Sequence, residues 1–333
     1  MTTVSVVIPS HNCAAYIAQT LASVLTQPVD DLEVLLVDDG SSDATVAIAQ
    51  GLNDARLRVI QLANGGVCKA RNRGIAEARG RFICLLDHDD WWLPHKLPRQ
   101  LQEMARHPEA GVVFSSFVRW FPNAPGGTFA PPESIAVSAG VSTEVSTEVS
   151  TEDSTDDQVT DDIDPDFSGW IHHQFLLDCW MLTSTSMFRR EVFERCGTFD
   201  ESLPFSEDWD LWLRVAREVQ FVQLRRPTTL YRMHASLGSG IHRPVDYRTR
   251  LLQRTAAVHG LASRDGRCIT PRQFRHQLAR YHADFARGEL GARRLGSALT
   301  SYGQAWLNHP LRWKYPVYLL AVLGGWRGRE WPR

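Results

Sequence analysis

Residues 81–94 read RFICLLDHDDWWLP, and the fold turns on them. The apolar run Phe82, Ile83, Cys84, Leu85 and Leu86 has glycine before it and proline after it, the pattern of a buried strand. It ends in three carboxylates, Asp87, Asp89 and Asp90. Carboxylates crowded at the mouth of a buried strand repel one another and need water or a cation. A hard divalent ion with oxygen ligands, Mg2+ or Mn2+, is the natural partner where phosphate must also be held. In an open α/β sheet the ligand crevice lies at the carboxyl ends of the strands, where these acids fall. The same residues could equally form an acidic turn capping the next helix, so the rest of the chain has to decide.

Outward from this stretch the chain alternates. Residues 4–8 (VSVVI) predict a β-branched strand stopped by Pro9, and residues 14–25 have helical spacing. Residues 32–37 (LEVLLV) predict a second buried strand. It too ends in acids, Asp38 and Asp39, with Ser42 or Asp43 as cap of a helix over 44–52. A third strand is expected at 57–62. The turn Asn64-Gly65-Gly66 then leads into a basic helix start with Lys69 and Arg71. Beyond residue 94 a helix (96–106) and a strand (111–120) follow. Strands alternating with helices predict a doubly wound, mostly parallel α/β sheet with its ligand loops on one edge.

With 333 residues, 43% of them hydrophobic, the chain can bury a full α/β core and a second, smaller region. The net charge of −2 hides an asymmetry. Residues 122–178 hold about a dozen acids and no Lys or Arg, whereas residues 221–333 hold about twenty Lys or Arg against about five acids. A basic tail after an acidic middle points to an anionic partner, such as membrane phosphate, a lipid diphosphate or a charged polymer. Taken singly, most of these arginines read as solvated helix faces. The six cysteines are scattered with no C-x-x-C pair, as expected for reduced thiols of a cytosolic protein. The N-terminus lacks the features of a signal peptide, and no run of about 18 apolar residues predicts a spanning helix. No G-x-G-x-x-G follows the first strand and no G-x-x-x-x-G-K-[ST] occurs, which argues against a nicotinamide dehydrogenase and a common NTPase.

Residues 122–168 break the pattern. VSTE repeats three times over 141–152 and gives way to DSTDDQVTDDIDPD, which predicts a disordered acidic insertion. Order is expected again from Trp170, with a strand over 179–188 and a short helix over 189–196. A helix then begins at Glu207-Asp208-Trp209-Asp210 with Ser206 as its cap. Helix-dipole stabilisation alone would account for those three acids. Short strands are expected at 221–224 and 229–233, and basic helices near 247–259, 272–287 and 290–307.

VSVVIPSHN (4–12), LEVLLVDDGSSDAT (32–45), NGGVCKARNRGIAEARG (64–80), LLDHDDWW (85–92), GTFDE (197–201), EDWDLWLR (207–214) and YRMH (231–234) occur in one order. In that order they resemble family-2 glycosyltransferases of the GT-A fold, a group of inverting enzymes that use sugar nucleotides. The resemblance covers roughly residues 4–234 apart from the acidic insertion. It divides the chain into a nucleotide-sugar-binding half (1–121), the insertion (122–168), an acceptor-binding half (169–240) and a basic helical C-terminal region (241–333).

The resemblance implies a role for each motif. Asp87-x-Asp89 stands where the family has its D-x-D motif, with Asp89 or Asp90 on Mg2+ or Mn2+ and Asp87 near the ribose. Asp39 would accept a hydrogen bond from the base with Asp38 supporting it, and Pro9, Ser10 and His11 would line the base pocket. His11 departs from the aromatic tyrosine often found there, which leaves base selectivity open. Arg71 and Lys69 would face the diphosphate, Asp208 or else Glu207 would act as general base, and His234 would reach the metal or diphosphate. The expected partners are a nucleotide diphosphate sugar, most often uridine-based, and a glycan or lipid-linked acceptor, with no nucleic acid. A polyprenyl-phosphate glycosyltransferase and an inactive nucleotide-sugar-binding scaffold are the alternatives.

Chemistry asks for the same residue types: cations for a leaving diphosphate and a carboxylate for the attacking hydroxyl. The last stretch, PLRWKYPVYLLAVLGGW (310–326), is flanked by Arg312, Lys314, Arg327 and Arg329. It predicts either an interfacial segment on an anionic membrane, peripheral at the inner face of the cell membrane, or a helix packed on the domain.

Overall fold

The computed structural model describes residues 2–123, 129, 162–235 and 243–324. They fall into two compact units, Met1–Ile171 with Trp180–Ala235, and His172–Cys179 with Ser236–Arg333.

The first unit is built on one eight-stranded sheet. In chain order its elements are β1 (Val4–Ser10), α1 (Ile17–Leu25), β2 (Leu32–Asp38), α2 (Thr45–Gly51), β3 (Leu57–Gln61), α3 (Val67–Glu77), β4 (Phe82–Leu85), β5 (Trp91–Trp92), α4 (Lys96–Arg106) and β6 (Ala110–Trp120). The second unit's α5 (His172–Phe175) interrupts this run, which continues with β7 (Met187–Arg189), α6 (Arg190–Cys196), α7 (Glu207–Glu218) and β8 (Gln220–Arg232). The strands lie in the order β3-β2-β1-β4-β7-β6-β8-β5. β3, β2, β1 and β4 are parallel, β7 runs antiparallel between β4 and β6, and β6 and β8 are again parallel.

Burial explains the run-on hydrophobicity of β1, β2 and β4. Helices cover the sheet, so Val4, Val6, Val7 and Ile8 of β1 and Leu35, Leu36 and Val37 of β2 all lose their water. Gly74 shows how closely α3 packs: a Cβ there would lie 2.3 Å from Val7 Cγ1.

Several boundaries differ from expectation. β1 runs through Pro9 to Ser10, because its β4 partner ends at the Val7–Leu85 pairing and Pro9 has a ladder neighbour only in β2. The strand expected over 179–188 is a short 3-10 turn, Thr183–Thr185, with a three-residue strand after it. The two strands expected over 221–233 are one, β8, kept continuous by a register shift against β6. Ser206 does not cap α7 with its side chain; it sits at φ 61°. Nor does α2 have a side-chain cap, although Asp43 Oδ1 takes the Thr45 N–H at 3.0 Å. Most of the acidic insertion lies outside the described residues, but its end is ordered. Ile163 bridges Leu224, and Asp162 is ion-paired with Arg99 at 2.6 Å.

The second unit holds α5, α8 (Tyr247–His259), α9 (Pro271–Gly291), α10 (Leu295–Asn308) and α11 (Lys314–Leu323). Asp246 caps α8, and Thr270 and Gln273 form a capping box at α9. Tyr302, Tyr315, Leu290, Val322 and small α9–α10 residues such as Ala279, Ala283 and Ala298 make its core. α5 belongs here: the backbone N–H of His173 meets Ser263 Oγ at 3.0 Å, and Tyr281 donates to Asp178 Oδ1 at 2.6 Å.

Candidate active site

Parallel pairing ends β1 and β2 side by side, with Ser10 opposite Asp38. Asp38 is buried, and its carboxylate accepts from Ser41 Oγ (2.5 Å), Ser41 N (3.0 Å) and Ser10 Oγ (3.3 Å). It therefore fixes the turn after β2. Asp39 is held by backbone: Oδ1 takes the Gly65 N–H and Oδ2 the Gly66 N–H, each at 2.8 Å. Gly66 has φ 94°, a conformation that costs glycine little, and it brings both amides to one carboxylate. The Asp39 carbonyl oxygen lies 3.0 Å from His11 Nδ1 and accepts from Asn64 Nδ2 at 3.1 Å. Pro9, Ser10, His11, Asp38 and Asp39 thus form one group. A base that hydrogen-bonds to Asp39 would share its carboxylate with the two glycine amides.

The helix that starts at those glycines is α3, and Arg71 lies on it. Arg71 is buried; Nη2 donates to Asp87 Oδ1 at 2.7 Å and Nη1 to Glu207 Oε1 at 2.9 Å. Burial disfavours its charge, but Asp87 and Glu207 more than offset this, so the guanidinium stays firmly protonated. Its Nε is buried with no hydrogen-bond partner. One helix thereby ties the β2 end to the 87–90 loop and to the start of α7, three motifs far apart in sequence. Lys69 is exposed on the same helix, with its chain running beside Gly65.

The 87–90 loop is locked from behind. Ser184 Oγ accepts the Asp87 N–H at 3.1 Å and donates to Asp90 Oδ2 at 2.5 Å; the Arg232 N–H meets Asp90 Oδ1 at 3.1 Å. Asp90 is fully buried, and burial together with Asp89 and Asp87 pushes its carboxyl well above the usual range. Both of its carboxylate oxygens are thus engaged within the protein, whereas Asp89 shares the loop with a different partner. The Arg232 guanidinium lies 4.1 Å from the Trp120 ring centroid and 4.9 Å from that of Tyr16, and its Nε donates to the Asp89 carbonyl at 2.6 Å. The Asp89 carboxylate itself points to His234, with Oδ2 2.8 Å from Nε2. Burial would raise the Asp89 carboxyl, but His234 and His88 hold it below its ordinary range. The His234 ring packs on Tyr16 at 4.9 Å.

Asp208 is half-buried at the start of α7, where Oδ1 accepts the Trp209 N–H at 2.7 Å. Burial and the Glu207 charge push its carboxyl up to about 7, with Arg71 opposing. The neighbouring acids are otherwise engaged: Glu207 by Arg71, and Asp210 by Arg214 at 2.9 Å. That leaves Asp208 as the α7 acid suited to exchange a proton near neutrality. Ser184 and Arg232 are the site residues that the sequence did not single out. Ser184 was hidden in an apparent strand, and Arg232 stood inside YRMH beside the more conspicuous histidine.

Residues 5–125 match the model of glycosyl transferase family 2. The chain carries a family-2 glycosyltransferase domain. Among curated relatives, EpsJ of Bacillus subtilis, named an uncharacterized glycosyltransferase, is 30% identical over 228 residues, 66% of this chain and 58% of that protein. TuaG of B. subtilis, named for teichuronic acid biosynthesis, is 42% identical over 104 residues, 30% of this chain and 41% of that protein. The chain thus spans about 58% of EpsJ. Residues 1–349 of S. aureus TarS, crystallised with UDP-GlcNAc, superpose with a TM-score of 0.60 at 17% identity, covering 99% of this chain and 93% of that one. The mannosyltransferase PcManGT of Pyrobaculum calidifontis, in complex with GDP-Man and Mn2+, gives 0.52 at 19%, covering 97% and 81%. The fold is GT-A.

Proposed function

We propose that this protein is an inverting glycosyltransferase. It moves a sugar from a nucleotide diphosphate sugar, a UDP-sugar foremost, to an acceptor hydroxyl of a lipid-linked or cell-envelope glycan. The observation that carries this is the Asp87–Arg71–Glu207 bridge, which joins the D-x-D loop to the helix start bearing Asp208. The uridine preference is supported by the TarS complex with UDP-GlcNAc, and the envelope acceptor by the likeness to TuaG.

In this reading the groups at the β1 and β2 ends hold the base, and Asp87 holds the ribose. The buried Arg71 stabilises charge that gathers on the leaving diphosphate. Asp208 takes the proton of the acceptor hydroxyl as that oxygen attacks the anomeric carbon, and a single in-line displacement inverts the centre. Asp89 and His234, a carboxylate and an imidazole already side by side, fit a divalent ion. No cluster of three or more His, Cys, Asp or Glu that could hold a metal occurs among the described residues, so donor phosphates would complete the coordination. An imidazole in the set favours Mn2+ over the harder Mg2+. The bound ion would supply charge neutralisation at the diphosphate.

A donor screen by thermal shift, with and without Mn2+, tests this: a UDP-sugar should raise the melting temperature more with the metal than without. Transfer to a hydroxyl acceptor should then be lost in Asp208→Asn. Retained transfer in that variant to a lipid phosphate, which needs no proton removed, would favour the polyprenyl-phosphate alternative. Binding without transfer or release of sugar would favour a scaffold.

A further inference from the structure

The second unit exposes a concentration of large apolar side chains at one place. α10 ends and α11 begins within a few residues, and around that turn Leu307 is 71% exposed, Leu311 85% and Trp313 74%. On α11 the pattern divides by face. Tyr315 and Val322, seven apart, are buried in the unit's core. Trp313 and Leu320, seven apart, project from the opposite side into water, and Leu323 projects from the flank between the two faces. An apolar helix with only one face packed leaves its other face in want of an apolar neighbour.

Charge identifies the neighbour. Residues 243–324 hold fourteen Arg and Lys against four Asp and Glu. Arg312 and Lys314 flank Trp313 directly. Burial together with nearby Arg272, Arg275 and Arg312 lowers the proton affinity of His276; burial with His276, Arg312 and Arg272 lowers that of His309, whose ring stacks on His276 at 3.6 Å; and Lys314 is lowered likewise with Arg312 and Arg287 contributing. The acid in reach, Asp284, is paired with Arg287. A second copy of this chain brought face to face would set these cations against each other, whereas an anionic bilayer answers both the apolar side chains and the positive rim.

We infer that the α10–α11 turn is a membrane-docking surface, with Leu307, Leu311, Trp313, Leu320 and Leu323 entering the interface of an anionic bilayer and Arg312 and Lys314 meeting its headgroups. Tryptophan suits that depth, apolar in its body and polar at its N–H. The span is an interfacial one, since no helix among the described residues is long and apolar enough to cross a membrane.

The test is flotation of the full chain with phosphatidylcholine vesicles, with and without phosphatidylglycerol. The wild type should float with the anionic vesicles and release progressively as salt is raised. The exposed-site variant L311S/W313S should lose vesicle binding by at least about tenfold, a loss equivalent to about 1.4 kcal/mol. R312E/K314E should lose the preference for anionic lipid. Both should keep the wild-type melting temperature and transfer to a soluble acceptor, which separates this inference from the catalytic one. Folded wild type that ignores anionic vesicles would overturn the inference. So would a dimer that the same substitutions dissociate.

Discussion

In the proposed reaction, Asp208 is the residue on which the chemistry and the cost of keeping it both fall. A carboxyl near 7 is half ionised where the enzyme would work, so the rate should rise about tenfold per pH unit below that point and level off above it. Asp208→Asn should lower kcat by roughly 100- to 10,000-fold, and a pH profile of residual activity should lose its ascending limb. Linkage gives this variant a second signature. A carboxyl raised in the folded state binds more protons there than in the unfolded chain, so its contribution is fully present below the unfolded value and lost as pH rises through about 7. Asp208→Asn should therefore melt higher than wild type at pH 8 and no higher at pH 4. Asp89 and His234 call for a different measurement. Asp89→Asn and His234→Ala should each weaken Mn2+-dependent nucleotide binding by at least about tenfold in calorimetry, and binding without metal should change less.

At the scale of elements, the parallel half of the sheet was legible because β-branched runs stop at acids and glycines. β1, β2 and β4 fall where VSVVI, LEVLLV and FICLL place them. The antiparallel β7 was not, because TSTSMF alternates like a strand while Thr183, Ser184 and Thr185 spend their groups in a turn. That turn supplies the lock on the 87–90 loop, so the hardest element to read is one on which the candidate site depends. Ser184→Ala would strip the Asp87 amide and the Asp90 carboxyl of a shared partner. Donor KM should rise roughly tenfold, and the wild-type value should return in Ser184→Thr if the hydroxyl is what matters. Gly74 predicts a cost of packing. An alanine there would favour helix by up to about 1 kcal/mol, but its methyl meets Val7 inside the closed α3–β1 contact. Overpacking should dominate, with a net loss of roughly 1–3 kcal/mol in a denaturant melt.

On the scale of the whole molecule, the motifs would place a cut near residue 240, between a catalytic part and a basic helical tail. Chain connectivity makes such a cut costly. His172–Cys179 leaves the first unit's sequence and belongs with the C-terminal helices, where His173 depends on Ser263 and Asp178 on Tyr281. Sequence patterns could not reveal this, since HHQFLLDC has the composition of any short buried helix and its partners lie some ninety residues away. A fragment ending at residue 235 would carry α5 with its backbone N–H and carboxylate partners removed. Phe175 and Leu176, both fully buried in the intact chain, would lose part of their surroundings. Buried polar groups left without partners cost about 1–3 kcal/mol each, and exposed apolar side chains promote association. The 1–235 fragment should accordingly be less soluble than the full chain and melt lower. Adding back residues 236–324 as a separate chain should recover part of the loss, because the missing partners are noncovalent. A fragment that melts with the full chain and transfers sugar as well would mean that α5 does not depend on the C-terminal helices.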